Sequence, residues 1–174
     1  MSIDKCAQLY CLVLLALSEC LAANVDLERF AGRWYEIART DNGFQRHCQS
    51  DTQATYELNP DKTLVVTNSC VDENNETIVA KGLAYQPNPS RSHYLNVSFV
   101  KLFGFHMFWG DYWILELDIN YQTAIVGSPN DNMFWILSRQ KTVTPHRLNQ
   151  LESQLRRFGI TQEDLLYTKH SQLD

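Results

Sequence analysis

The side chains able to do chemistry are scattered along this chain. His47, His93, His106, His146 and His170 lack the short spacing that presents two imidazoles to one metal, so each is expected on the solvated surface. No Gly-x-Ser-x-Gly turn exposes a nucleophile, no glycine-rich loop cradles a phosphate, and no paired cysteines form a zinc pattern. Glu36 and Glu116 stand among apolar neighbours and are candidate inward carboxylates; for Glu36 a partner such as Arg139, or a ligand head group, suits better than acid catalysis. What remains is ring surface, with eight Phe, eight Tyr and four Trp. Such residues hold apolar matter and break no bonds. The pattern implies binding without a metal or cofactor.

The remaining composition narrows the class. With 44% hydrophobic and 20% charged residues, the chain is not disordered, and 174 residues favour one domain. The 15 Lys+Arg against 20 Asp+Glu form no basic run, which gives no footprint for nucleic acid.

The first residues read as a leader. Ala7 to Leu17 is an apolar stretch, too short to span a bilayer and suited to the core of a secretory signal. Cys20-Leu21-Ala22 satisfies the small-x-small cleavage rule, so residues 1–22 are expected to be removed and 23–174 to fold. Leu17-Ser18-Glu19-Cys20 reads alternatively as a lipobox that would lipidate Cys20, although Glu19 departs from the usual Gly, Ala or Ser. Cys48 and Cys70 are left in the body, an even count fitting an oxidising compartment. They flank a hairpin turning at Asn59-Pro60-Asp61-Lys62. Pairing Leu58 with Thr63 sets Asp51 opposite Cys70, and a bulge before the strand would bring Cys48 within bonding reach. Two free thiols are the other reading.

Strands in series make up the body, near 33–39, 52–58, 63–70, 77–85, 93–100, 112–118, 123–127 and 133–139. Turn residues separate them, and no long helical pattern intervenes, so the sheet must be antiparallel. One helix follows: Thr144 caps it, Pro145 opens it, Leu148, Leu151, Leu155 and Phe158 share a face, and Gly159 stops it. An extended tail is expected over 164–167. The fold class is all-β, an eight-stranded up-and-down barrel or a sandwich with one C-terminal helix packed outside.

Three motifs then occur in order. GRWYEIAR (Gly32 to Arg39), DYWILELDINYQTAIVGSP (Asp111 to Pro129) and WILSR (Trp135 to Arg139) resemble the conserved blocks of the lipocalins. The resemblance covers about Val25 to Tyr167. It points in particular to the bacterial outer-membrane Blc type, with apolipoprotein D and plant temperature-induced lipocalins as relatives. It implies the barrel rather than the sandwich, and a cup that holds a small ligand. It also implies that Gly32, Trp34 and Arg139 plug one end, with the guanidinium over the indole.

Alternation supplies the lining. Trp34, Glu36 and Ala38 share a face, as do Trp135, Leu137 and Arg139. Ala54, Tyr56, Leu58, Val66, Asn68, Leu95, Val97, Phe99, Tyr112 and Ile114 would face inward, with Ala80, Gly82 and Ala84 leaving volume. Resemblance to apolipoprotein D places Tyr56, Asn68, Phe99, Tyr112 and Trp135 in the ligand pocket. With Val97 and Ile114 these make the expected ligand set.

The stretch Lys101 to Trp113 is the most apolar connection in the chain. Phe103, Phe105, Met107 and Trp109 would form a lid at the mouth, touch a membrane, or meet a second copy in a homodimer. The resulting expectation is an exported binding protein for a fatty acid or lysophospholipid. It would sit at the periplasmic face of a bacterial outer membrane if Cys20 is lipidated, and be soluble in the periplasm or secreted otherwise. The rival readings are an enzyme on the same barrel and a chaperone-like partner acting through the apolar loop.

Overall fold

The computed structural model describes residues 25–171. The expected leader, with Cys20, lies outside them. A short helix α1 (Leu27–Phe30) precedes the sheet. Then follow β1 (Gly32–Thr40), β2 (Ser50–Leu58), β3 (Leu64–Val71), β4 (Thr77–Tyr85), β5 (Tyr94–Ser98), β6 (Val100–Leu102), β7 (Phe105–Met107), β8 (Gly110–Leu117), β9 (Thr123–Ser128) and β10 (Met133–Ser138). Helix α2 (Pro145–Leu155) and β11 (Leu165–Tyr167) end the described chain. Eight strands, in the order β1-β2-β3-β4-β5-β8-β9-β10, close into an antiparallel barrel because β10 also pairs with β1.

Successive strands point in opposite directions, so two ends are defined. The connections 41–49, 72–76, 99–109 and 129–132 cluster at one end. Helix α1 and the turns 59–63, 86–93 and 118–122 mark the other. Alternation divides the apolar residues into two sets. Phe30, Trp34, Tyr56, Leu64, Leu95, Ile114, Val126 and Leu137 pack inside the barrel. Ile37, Ala38, Ile125, Phe134 and Ile136 pack outside, under Leu151 and Leu155 of α2. The helix begins as its residues dictate: the Thr144 hydroxyl accepts from the Arg147 N–H, Pro145 opens the first turn, and Gly159 (φ 77°) turns the chain out.

Two bulges correct the simple parity. In β1 the register shifts between Glu36 and Ala38, so Ile37 and Ala38 both join the outer set and Ala38 does not line the cup. In β8 the shift lies between Ile114 and Glu116. Glu116 therefore faces outward, 3.8 Å from Arg157, instead of inward.

The β2–β3 hairpin also differs by one residue. Leu58 pairs with Leu64, because Thr63 is held in the turn by Asp61 and Asn59. Asp51 (φ 53°) then forms a bulge that returns Ser50 to Val71. Cys48 and Cys70 are joined as a disulfide across this irregularity, with Cα atoms 5.5 Å apart. Past residue 35, β1 leaves β2 and pairs with β11, and the tail lays Lys169 beside Ser50 and Asp51. The C-terminal segment thus fills a split in the barrel wall.

Candidate functional site

The closed end is built around Trp34, which is fully buried. Asp26 caps α1 by accepting from the N–H groups of Glu28 and Arg29, and this turn sets Phe30 against Trp34 and Tyr56, ring centroids 5.1 Å away in each case. The indole Nε1 donates to the Phe30 carbonyl at 2.8 Å. Arg139 lies over the indole, 3.9 Å from its ring centroid. Its Nη2 donates to the carbonyls of Arg29, Phe30 and Ala31, and its Nη1 to that of Arg33. Gly32 has φ 96°, which an L side chain rarely adopts, and a Cβ there would stand 3.3 Å from Nη1; the backbone angle is what calls for glycine. The expected plug is present. Helix α1, which with its C-cap Ala31 supplies three of the four carbonyls that accept from Nη1 and Nη2 of Arg139, was not expected; the signal for it was Asp26 ahead of Leu27 and Phe30.

Against the plug, where Tyr56 packs on Phe30, the apolar interior holds a pair of phenols. The hydroxyls of Tyr56 and Tyr112 meet across the barrel at 2.7 Å. Burial pushes the Tyr56 phenol up to about 12, against the opposing effects of Tyr112 and Arg139, and raises Tyr112 well above the ordinary phenol range. Both stay neutral under ordinary conditions. Val97 and Trp135 are half-buried and pack on the same inner cluster. Ile78 and Ala80 share a face of β4 with the buried Gly82 and Ala84, yet both are exposed. The inner wall is therefore open toward the mouth.

A polar set occupies the wall beside this opening. The Glu36 carboxylate, 2% exposed, accepts from Arg39 Nη1 at 2.7 Å, from Gln45 Nε2 at 2.6 Å and from the Thr168 hydroxyl. Its cationic partner is Arg39, brought inward by the β1 bulge, and not Arg139. Gln45 Oε1 in turn accepts from Trp135 Nε1 at 2.6 Å and Asn42 Nδ2 at 3.0 Å. The side chain of Asn42 caps the 3₁₀ turn Gly43–Gln45 that aims Gln45 inward, and the Cys48–Cys70 bridge ties the same connection to β3. Gln45 was missed by sequence reasoning. Its one signal is Asn42, a cap residue three positions earlier.

Of the expected ligand set, the structure brings five residues to the inner cluster: Tyr56, Ile114, Val97, Tyr112 and Trp135. Asn68 is half-buried on β3, in register between Ala54 and Ala80. Phe99 is 41% exposed and lies across Gly82, at the rim and not in the core. Connection 99–109 is a small hairpin of its own, β6 with β7, rather than an irregular loop. Trp109 packs edge-on against Tyr85 at 4.9 Å; Tyr85 alternates with the inward Ala84, so Trp109 sits on the outer wall. His170 departs from the solvated expectation. Its Nε2 lies 2.7 Å from the Glu36 carbonyl, and its side chain is 4% exposed. Among the described residues no group of three His, Cys, Asp or Glu could hold a metal.

A barrel closed by an Arg–Trp plug, with an apolar interior opening at the far end, can do one thing well: enclose an apolar molecule. Residues 25–170 match the family described as the Lipocalin-like domain. The chain is a lipocalin. It is 38% identical over 130 residues to temperature-induced lipocalin-1 of Arabidopsis thaliana, covering 73% of this chain and 69% of that one. It is 35% identical over 149 residues to the outer membrane lipoprotein Blc of Vibrio cholerae, covering 84% of each. Among solved structures, insecticyanin of the tobacco hornworm Manduca sexta superposes with a TM-score of 0.67 at 22% identity, covering 87% of this lipocalin and 84% of that chain. This last likeness bears on the fold alone.

Proposed function

We propose that this lipocalin binds a single lipid amphiphile, a fatty acid or lysophospholipid, and stores or carries it without chemical change. The observation that carries the reading is the gradient inside the barrel. The inner cluster over the plug is apolar apart from the paired Tyr56 and Tyr112 hydroxyls, and Glu36, Arg39 and Gln45 stand on the wall nearer the mouth. An acyl chain would lie against Tyr56, Val97, Phe99, Tyr112, Ile114 and Trp135, with Asn68 beside it and the head group at the mouth. Burying roughly 300 Å² of apolar chain gains about 7 kcal/mol before the costs of association. Glu36 supports a binding role over a catalytic one. Its carboxylate already accepts from three donors and is not free to move a proton. Export fits the leader over 1–22, and the similar protein of Vibrio cholerae is named an outer membrane lipoprotein. An anchor on Cys20 would place this chain at such a membrane.

Tryptophan fluorescence titration tests the reading, since Trp135 lines the cup. Saturable one-to-one binding of a long-chain fatty acid or a lysophosphatidylcholine is expected, and a Val97→Trp variant that fills the cup should abolish it while the barrel stays folded. Equal affinity in the filled variant would place the lipid elsewhere and overturn the proposal.

A further inference from the structure

The hairpin β6–β7 places apolar side chains where folding gives them no reward. Phe103 is 97% exposed, Phe105 75% and Phe108 74%. Across the mouth, Phe44 in the 41–49 connection is 80% exposed. The backbone adds a second, independent observation. The hairpin turns through Phe103 (φ 50°) and Gly104 (φ 87°), two central residues in the left-handed region as a type I′ turn requires. Asn or Asp is the usual first residue of such a turn, and a bulky side chain there is disfavoured. Phe108 (φ 57°) repeats the anomaly one residue beyond β7. At both positions a phenyl ring is held in an unfavourable backbone conformation and in water, although a small polar residue would relieve both. Local strain of this kind at an exposed site points to function.

The shape of the surface selects the occupant. β1 and β5 run the same way, so Phe44 and Phe103 project from the same end of the barrel, the end at which the cup opens. They stand on separate turns as projecting points. A second folded protein would need a pocket for each ring, whereas a lipid surface accepts protruding rings without complementary shape. From this we infer that the mouth of the barrel docks on a lipid bilayer, with Phe103, Phe105, Phe108 and Phe44 inserted at the boundary between head groups and acyl chains. This rests on the amphiphile reading and deepens it: a docked mouth lets a lipid pass between bilayer and cup without crossing water.

The test uses the full chain with a reporter at the tip. Phe103→Trp is mixed with vesicles of phosphatidylcholine and phosphatidylglycerol that carry brominated acyl chains, and quenching is compared with the wild type. The expected result is extra quenching in Phe103→Trp. Adding Phe105→Ser and Phe108→Ser should weaken the vesicle partitioning that quenching reads by roughly tenfold per ring removed. Unchanged melting would confirm that the barrel is intact. Quenching no greater than in the wild type would overturn the inference. So would a dimer that the two Ser substitutions convert to monomer in sedimentation, because a second copy would then cover the rings. Titration with soluble lysophosphatidylcholine, run in parallel, keeps the two proposals apart: retained binding without tip quenching sinks the docking surface alone.

Discussion

The guanidinium of Arg139 lies 3.9 Å from the centre of the Trp34 indole and joins four carbonyl oxygens of the segment Arg29 to Arg33. One side chain thereby fixes the start of β1, the end of β10 and the turn of α1. Arg139→Ala leaves those carbonyls short of a donor and should cost about 1–3 kcal/mol. Trp34→Ala opens a cavity in the inner core and should cost about 3–5 kcal/mol. Arg139→Lys should rescue only part of the loss, since an ammonium cannot stack flat and reach the same acceptors. Denaturant melts of the three variants check this; an unchanged midpoint in Arg139→Ala would refute the plug.

The buried Glu36–Arg39 pair makes a sharper prediction. Arg39→Ala should destabilise the barrel by about 3–5 kcal/mol because it strands a buried carboxylate, while Glu36→Gln with Arg39→Met should cost far less. A double-mutant cycle over Glu36→Gln and Arg39→Met, read by denaturant unfolding, separates the outcomes, and a loss in the double variant equal to the sum of the two single losses would show that the pair is not coupled.

Alkaline pH should loosen the cup. The folded pKa of Tyr56, about 12, stands above its ordinary value of 10.0. The unfolded chain therefore loses its phenol proton first, so the contribution of the buried neutral form is complete below pH 10 and is lost as pH rises toward 12. Ultraviolet titration of tyrosinate should show a late-ionising component that Tyr56→Phe diminishes. Stability measured across that window should fall more steeply in the wild type than in the variant.

The Cys48–Cys70 bridge closes a 22-residue separation. Its removal by Cys48→Ser with Cys70→Ser should cost about 3 kcal/mol. Because the bridge holds the connection carrying Gln45, hydrogen exchange should rise over 41–49 more than at the plug. Non-reducing peptide mapping of the wild type should recover the linked pair.

Much of this fold is legible in the residues alone. Period-two alternation and turn residues identify the eight barrel strands, and Thr144-Pro145 marks the start of α2, because these signals are local. The inward set fails where a bulge intervenes. Nothing in the residues around Ile37 or Leu115 announces an extra residue, so Ala38 and Glu116 were expected on the wrong face and the inward Arg39 went unseen. Gln45 and Thr168 converge on Glu36 through contacts nine and 132 positions apart, which no spacing rule reaches. The apolar hairpin was visible as composition. Its exposure depends on the barrel it leaves, and only the fold shows that.

Native mass spectrometry of the protein recovered from its own cells tests the central claim most directly. The account predicts a folded chain carrying one fatty acid or lysophospholipid, displaced or absent in the Val97→Trp variant. A wild-type barrel that emerges ligand-free, and gains no adduct when incubated with either lipid class, would contradict it.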